Sequence, residues 1–327
     1  MKKLVSIDEA NAVIDAGRPM HVAGDESALR RLNRGAWIGG TIPYFLTRAG
    51  GVVEREKVFV NLFPDEVTEV SIRLIDIGHI LSIASDAPRN GFSLIIVPAL
   101  SDIHTAYALT ANNMPGFFEH AIVGWTSGVH LDEIGKRTPK VFNGETGEVA
   151  DDRIVVLHAN LPHNLIASVG TINPFQPGSG DEIVFKESGF VAKDCTINGE
   201  PDNFFDYVRR TKLDTKLPLI TKRSGHNVNV SFQSFDEEKK AVRFYAPVLR
   251  GQVYRLAAPM PDYRAALIEA TEDLDFTPTF SCNCILNYLY GKLEGTQYIP
   301  VPGPATFGEV AHILLNQTLV YLRIDNR

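Results

Sequence analysis

The chain has 327 residues, 44% of them hydrophobic and 22% charged, with 32 basic against 39 acidic side chains and a formal net charge of −7. That length suggests about two domains, and so ordinary a globular balance argues against long disordered stretches. Basic residues scattered without a stripe exclude a phosphate-tracking nucleic-acid surface, and no apolar run approaches the ~20 residues that a membrane span needs.

Lys2 and Lys3 open the chain, but Asp8 and Glu9 arrive before any long apolar run, so the N-terminus does not read as a signal peptide. Ser6 to Glu9 reads instead as a capping box at the start of a short helix. Asp25 caps a helix over ESALRRLNR, Gly35 ends it, and AWIGGT follows as strand and turn. KVFVNLF reads as a strand, and TEVSIRLID alternates with period two, as a half-buried strand does. A short helix from Ile77 to Ala84 ends before Pro88. GFSLIIVPAL is a buried-type strand, Ser101 caps a helix through about Asn112, and EHAIVGWT is the next strand.

AWIGGT and AIVGWT share a frame. Ala36, Gly39, Thr41 and Gly50 reappear 85 positions on as Ala121, Gly124, Thr126 and Gly135, and Lys57-Val58-Phe59 recurs as Lys140-Val141-Phe142. The pattern implies two related strand-and-helix modules from an internal duplication.

Beyond them, PFQPGSGDE at 174–182 is the best candidate boundary. A helix with Phe204, Phe205 and Val208 on one face, a helix from Asp262 to about Leu274, and many short strands fill the rest, closing with FSCNCILNYLY, ATFGEVAHILL and QTLVYLRI. The expected fold class is α+β: two related sheet-and-helix modules in the N-terminal half, residues 1–175, and a strand-rich C-terminal domain, residues 176–327.

No phosphate loop, dinucleotide fingerprint, H-E-x-x-H or G-x-S-x-G pattern occurs. Cys195, Cys282 and Cys284 are an odd number without a secretion signal, which suits free thiols in a reducing cytoplasm. Strand geometry puts Cys282 and Cys284 on one face, where apolar packing competes with soft-metal binding and lacks the four ligands of structural zinc. Gly39 and Gly124 allow a backbone or a ligand to approach closely, and the threonines after them can close a turn onto the backbone. Either those turns are structural, or they face each other across a pseudo-twofold axis and frame a pocket with Trp125 and Tyr44 as aromatic walls. His130, four residues beyond Thr126, can donate to a carboxylate, ligate an iron, or stay a solvated loop histidine. Glu309 can be a carboxyl with a raised pKa, or one that pairs with an arginine or caps backbone amides.

FSLIIVPALSD…HAIVGWTSG, GFVAKDCTINGEPDNFFDYV and FSCNC…GPATFGEVAHILLNQTLVYLRI, in that order, resemble the blocks of FIST domains, predicted ligand-sensing modules of bacterial signal transduction. Ser281, Cys282, Gly308, Glu309, Asn316 and Thr318 carry the C-terminal part of the likeness. The chain departs from the pattern at Cys284-Ile285, where the family usually has Gly-Arg. The resemblance implies a cytoplasmic small-molecule sensor acting through a signalling partner, with a site drawn from Gly39, Thr41, Tyr44, Gly124, Trp125, Thr126, His130, Cys282 and Glu309. It also implies a haem-linked variant with His130, His158 or Cys282 on iron. A stand-alone enzyme using Glu309, His130 and Cys282 is the alternative, and a dimer-forming scaffold the third.

Overall fold

A computed structural model gives the fold and describes residues 2–67, 69–111, 114–223, 225–272, 274–296 and 301–327. The expected caps form as read. Ser6 and Glu9 close a reciprocal capping box on the helix Ile7–Asp15. The Asp25 carboxylate accepts from the Ser27 amide, and the Ser101 hydroxyl accepts from the His104 amide at the start of the helix Asp102–Thr110. Asn112, where that helix was expected to end, lies outside the described residues.

The N-terminal half is two copies of one unit. In the first, an opening strand Lys2–Val5 leads through a helix to an inner strand Met20–Gly24. A second helix, Glu26–Leu29, leads to a third strand Trp37–Thr41. A hairpin, Tyr44–Thr47 with Gly50–Val53, precedes a closing strand Val58–Leu62. The second copy runs Val70–Ile75, Gly91–Pro98, Asp102–Thr110, Ala121–Ser127, the hairpin Val141–Asn143 with Glu148–Ala150, and Ile154–Asn160. In both, inner and third strands pair parallel, and the closing strand runs antiparallel between opening and inner strands. A short helical crossover explains the parallel pair.

A third copy follows, assembled from distant segments. Its opening strand is Leu165–Ile172, its inner strand Phe280–Cys284, its helix Ile285–Tyr290 and its third strand Gly303–Thr306. The hairpin Glu309–Ala311 with Ile313–Leu315 and the closing strand Leu319–Asn326 complete it. All three sheets have the order opening, closing, inner, third. Each then gains the hairpin of another unit: the second unit's hairpin extends the first sheet, the third unit's extends the second, and the first unit's extends the third. Val141 thus pairs with Gly40, Glu309 with Trp125, and Phe45 with Pro304. The swap is cyclic, and every third strand that would otherwise be a bare edge is covered by a neighbour.

The Ala36–Thr41 match to Ala121–Thr126 falls on equivalent third strands. The Lys57-Val58-Phe59 match does not: Val58 opens a closing strand, whereas Val141 opens a hairpin. FSCNCILNYLY is also not all strand, because it turns into helix after Cys284. An unbroken apolar run has no period with which to separate the two.

Inserted into the third unit, residues 173–262 form a separate body. Six strands in one sheet and three in another enclose a core of Phe185, Phe204, Phe232, Phe244 and Tyr254. The helix Phe204–Thr211 buries Phe204, Phe205 and Val208 against it. The chain enters this insert after the strand Leu165–Ile172 and leaves it before the strand Phe280–Cys284. The fold is α+β, and among the described residues no helix is long and apolar enough to cross a membrane.

The inner faces of the three sheets share one core. At its centre each unit supplies one ring: His21, Trp125 and Phe280, all fully buried. Trp125 Nε1 donates to His21 Nε2 at 2.8 Å, and Phe280 stands edge-on to His21 at 5.1 Å. The bulky indole between Gly124 and Thr126 is therefore the keystone of the core. Gly40 makes room for it: a Cβ there would lie 2.7 Å from the indole and from Ile96.

Candidate functional site

The cyclic arrangement creates three equivalent crevices. Each lies where an inner strand ends, its helix begins at an N-cap (Asp25, Ser101 or Cys284), and the hairpin approach of another unit crosses over. The ends of parallel strands beside helix starts are where open α/β sheets commonly bind ligands.

Charge fills the first crevice. Asp25, 4% exposed, receives Arg55 Nε at 2.9 Å, and Arg55 also bonds Glu133 at 3.0 Å. Glu26 is gripped by Lys140 at 2.8 Å and Arg137 at 3.2 Å. Burial would raise its pKa, but these cations and Arg30 hold it down at about 2. The free space left here is about 10 Å³, enough for a water at most.

Aromatic rings line the third. Tyr44 packs edge-on to Tyr288 and stacks on His130, each at 5.5 Å, and its hydroxyl accepts from the Leu131 amide at 3.0 Å. Burial raises the Tyr44 phenol above its ordinary pKa.

The second crevice is open. A cavity of about 290 Å³ lies between the helix Asp102–Thr110 and the inserted body. Its apolar walls include Leu109, Phe190 and Phe307, and its polar groups are His104, Thr105, Gln233, Arg243 and Tyr245. His104 is 7% exposed, its ring lies 5.4 Å from that of Phe190, and its Nε2 has no hydrogen-bond partner among the described residues. Burial alone pushes the imidazole down to about 4, so it is neutral at pH 7. The loop leading in holds Leu100 at φ +64° with its side chain 56% exposed. A leucine in the left-handed region is a costly choice, of the kind that clusters at ligand clamps.

A family model matches residues 5–325. The chain belongs to DUF6976, a family of unknown function. No curated protein matches it. The DUF6976 match spans all three units and the insert, so this family's sequence pattern covers all three crevices.

The residues singled out from sequence in this DUF6976 chain divide into three groups. Thr41, Tyr44 and His130 do come together, because the Thr41 carbonyl accepts from the Gly128 amide at 2.6 Å and Tyr44 stacks on His130. The two bends touch within a threefold cycle rather than across a twofold, and their threonines close the backbone. Thr41 Oγ1 accepts from the Lys140 amide at 2.9 Å, and Thr126 Oγ1 donates to the Gly308 carbonyl at 3.2 Å. Gly39 and Gly124 face protein, since a Cβ would meet the Trp37 ring at 2.9 Å and the Ile95 carbonyl at 1.9 Å.

Glu309 and Cys282 lie deep in the core. Glu309 is fully buried, and burial pushes its carboxyl up to about 8 although Thr318 donates from its amide at 3.2 Å and its hydroxyl at 2.7 Å. It has both the raised pKa and the capped amide that the sequence left as alternatives. Cys282 Sγ donates to the Gly124 carbonyl at 3.4 Å, and with Cys284 it packs in the central core.

Haem ligation is not favoured by position. Cys282 is in the core, His130 stacks on Tyr44, and His158 shares a 2.8 Å hydrogen bond with Ser93. His158 lines a different, polar cavity of about 600 Å³ with Arg73 and Asp86. No described cavity is lined by two of the three, and no three His, Cys, Asp or Glu among the described residues are grouped to hold a metal ion.

His104 and Arg243 were missed. Local spacing marks neither: His104 is one of nine histidines, and Arg243 sits in an ordinary strand 139 residues away. Only the insert's return onto the second unit makes them neighbours.

Proposed function

We propose that this protein is a small-molecule-binding module whose ligand site is the crevice between the second unit and the inserted body. One observation carries the reading. Of three equivalent crevices, the first is filled by paired charges, whereas the second keeps a cavity lined by a buried imidazole whose Nε2 has no partner among the described residues. A buried polar atom left unpaired costs about 1–3 kcal/mol, and a ligand that bonds it recovers that cost. The apolar walls with few polar groups suit small-molecule recognition.

Sensing, as implied by the FIST resemblance, is the most economical use of such a site. A ligand touching both Phe307 and Phe190 would fix the insert against the units, and a signalling partner could read that change. The test is a small-fragment screen by two-dimensional NMR of the full chain. Bound fragments should shift resonances of His104, Leu109 and Phe190, and Leu109→Trp, which fills the cavity, should abolish the shifts without loss of folding. Hits confined to other surfaces would overturn the reading.

Acid–base chemistry is the second reading, favoured by the Glu309 carboxyl and its high pKa. Against it, no described cavity is lined by Glu309. Turnover lost in Glu309→Gln with binding retained would establish it.

A further inference from the structure

We infer that the open crevice takes a small apolar carboxylic acid, with the carboxylate on Arg243 and the hydrocarbon body between Leu109, Phe190 and Phe307. This rests on the crevice being the ligand site.

Charge supports the class first. Among the residues lining the cavity, Arg243 is the single charged group, because no Asp or Glu lines it and His104 is neutral. The Arg243 guanidinium makes no ion pair or side-chain hydrogen bond among the described residues, in a chain with a net charge of −7. The first crevice is the contrast: there Asp25, Glu26 and Glu133 engage Arg55, Arg137 and Lys140. A guanidinium presents a planar fork of donors that matches a carboxylate. One such cation suits a monoanion, whereas a phosphate dianion calls for several.

Size and polarity narrow it further. A cavity of about 290 Å³ is at the small end for ligand sites. Three apolar side chains from three parts of the chain, the helix, the insert and the third unit's hairpin approach, line the same space as the arginine. His104 adds one uncharged polar contact, which orients a ligand without adding charge.

The test compares acids with their amides on the full chain. Probes are 3-phenylpropionate and 4-methylpentanoate against 3-phenylpropanamide and 4-methylpentanamide, titrated by NMR into the natural protein and into Arg243→Gln. At least one acid should bind at least tenfold more tightly than its amide. Arg243→Gln should remove that tenfold preference and leave amide binding unchanged. Equal binding of acid and amide, an unchanged preference in Arg243→Gln, or binding of neither acid overturns the carboxylate class. If the amides still shift His104 and Phe190 in that case, the crevice remains the ligand site and only the class fails. If no fragment of any chemistry shifts those residues, the site reading has failed as well.

Discussion

The indole of Trp125 donates to the Nε2 of His21 at 2.8 Å across the seam between the first and second units, and neither ring is exposed. A nitrogen that accepts cannot carry the proton, so the neutral His21 ring holds its hydrogen on Nδ1. The bond joins two sheets that share no inner strand, and Phe280 of the third unit closes on the same imidazole.

Trp125→Phe should therefore lower stability by about 3 kcal/mol. It removes buried volume and leaves a buried acceptor without its donor. Urea unfolding would measure this as a lower midpoint with an unchanged slope. Gly40→Ala should also destabilise, by overpacking, because Ile96 and Trp125 leave no room for a methyl group.

His104→Phe should do the opposite. It removes a buried orphan nitrogen while keeping a ring beside Phe190, so stability should rise by about 1 kcal/mol as ligand binding is lost. A thermal melt of the ligand-free variant against the natural chain reads the first effect, and NMR titration reads the second.

Glu309 gives stability a dependence on basic pH. Its folded pKa of about 8 lies above the unfolded value near 4.5, so the native state holds the proton more tightly. The contribution is complete below pH 4.5 and is lost as pH rises through 8, on the order of a few kcal/mol. Glu309→Gln should flatten that slope in melts run between pH 5 and 9.

On the acid side the histidines act with the reverse sign. Burial depresses both His104 and His158 to about 4, below the usual 6.5, so the unfolded chain takes up protons first. Their contribution is intact above pH 6.5 and is lost as pH falls through 4. Histidine NMR titrations should show the His104 and His158 rings still neutral at pH 5; full protonation of both at that pH would contradict their burial.

The swapped hairpins make the units interdependent. A fragment ending at Asn160 leaves the third strand of the second unit without the Glu309–Ala311 strand beside it, and the hairpin Tyr44–Thr47 without Gly303–Thr306. It should give the narrow amide dispersion of an unfolded or aggregating chain, where the full chain gives a folded spectrum.

Much of the local structure was legible. Ser6, Asp25 and Ser101 cap helices as their positions suggest, because a cap is a contact between residues two or three apart. The Ala36–Thr41 repeat was legible too, since equivalent strands bury equivalent faces. The third copy was not, as an insert of about 90 residues separates its opening strand from its inner strand. The candidate site was least legible, because His104 and Arg243 lie on bodies whose docking no local pattern records.

Read alone, the amino-acid order determined many of the segments that become helix or strand and that one unit recurs, through periodicity, caps and turn residues that act over a few positions. Only the tertiary structure decided how three units exchange hairpins, why the indole sits at their centre, and why the second crevice keeps a cavity where the first is filled. Those outcomes depend on side-chain volume and charge meeting across distances of a hundred residues and more, and such meetings exist only once the sheets have closed on one another.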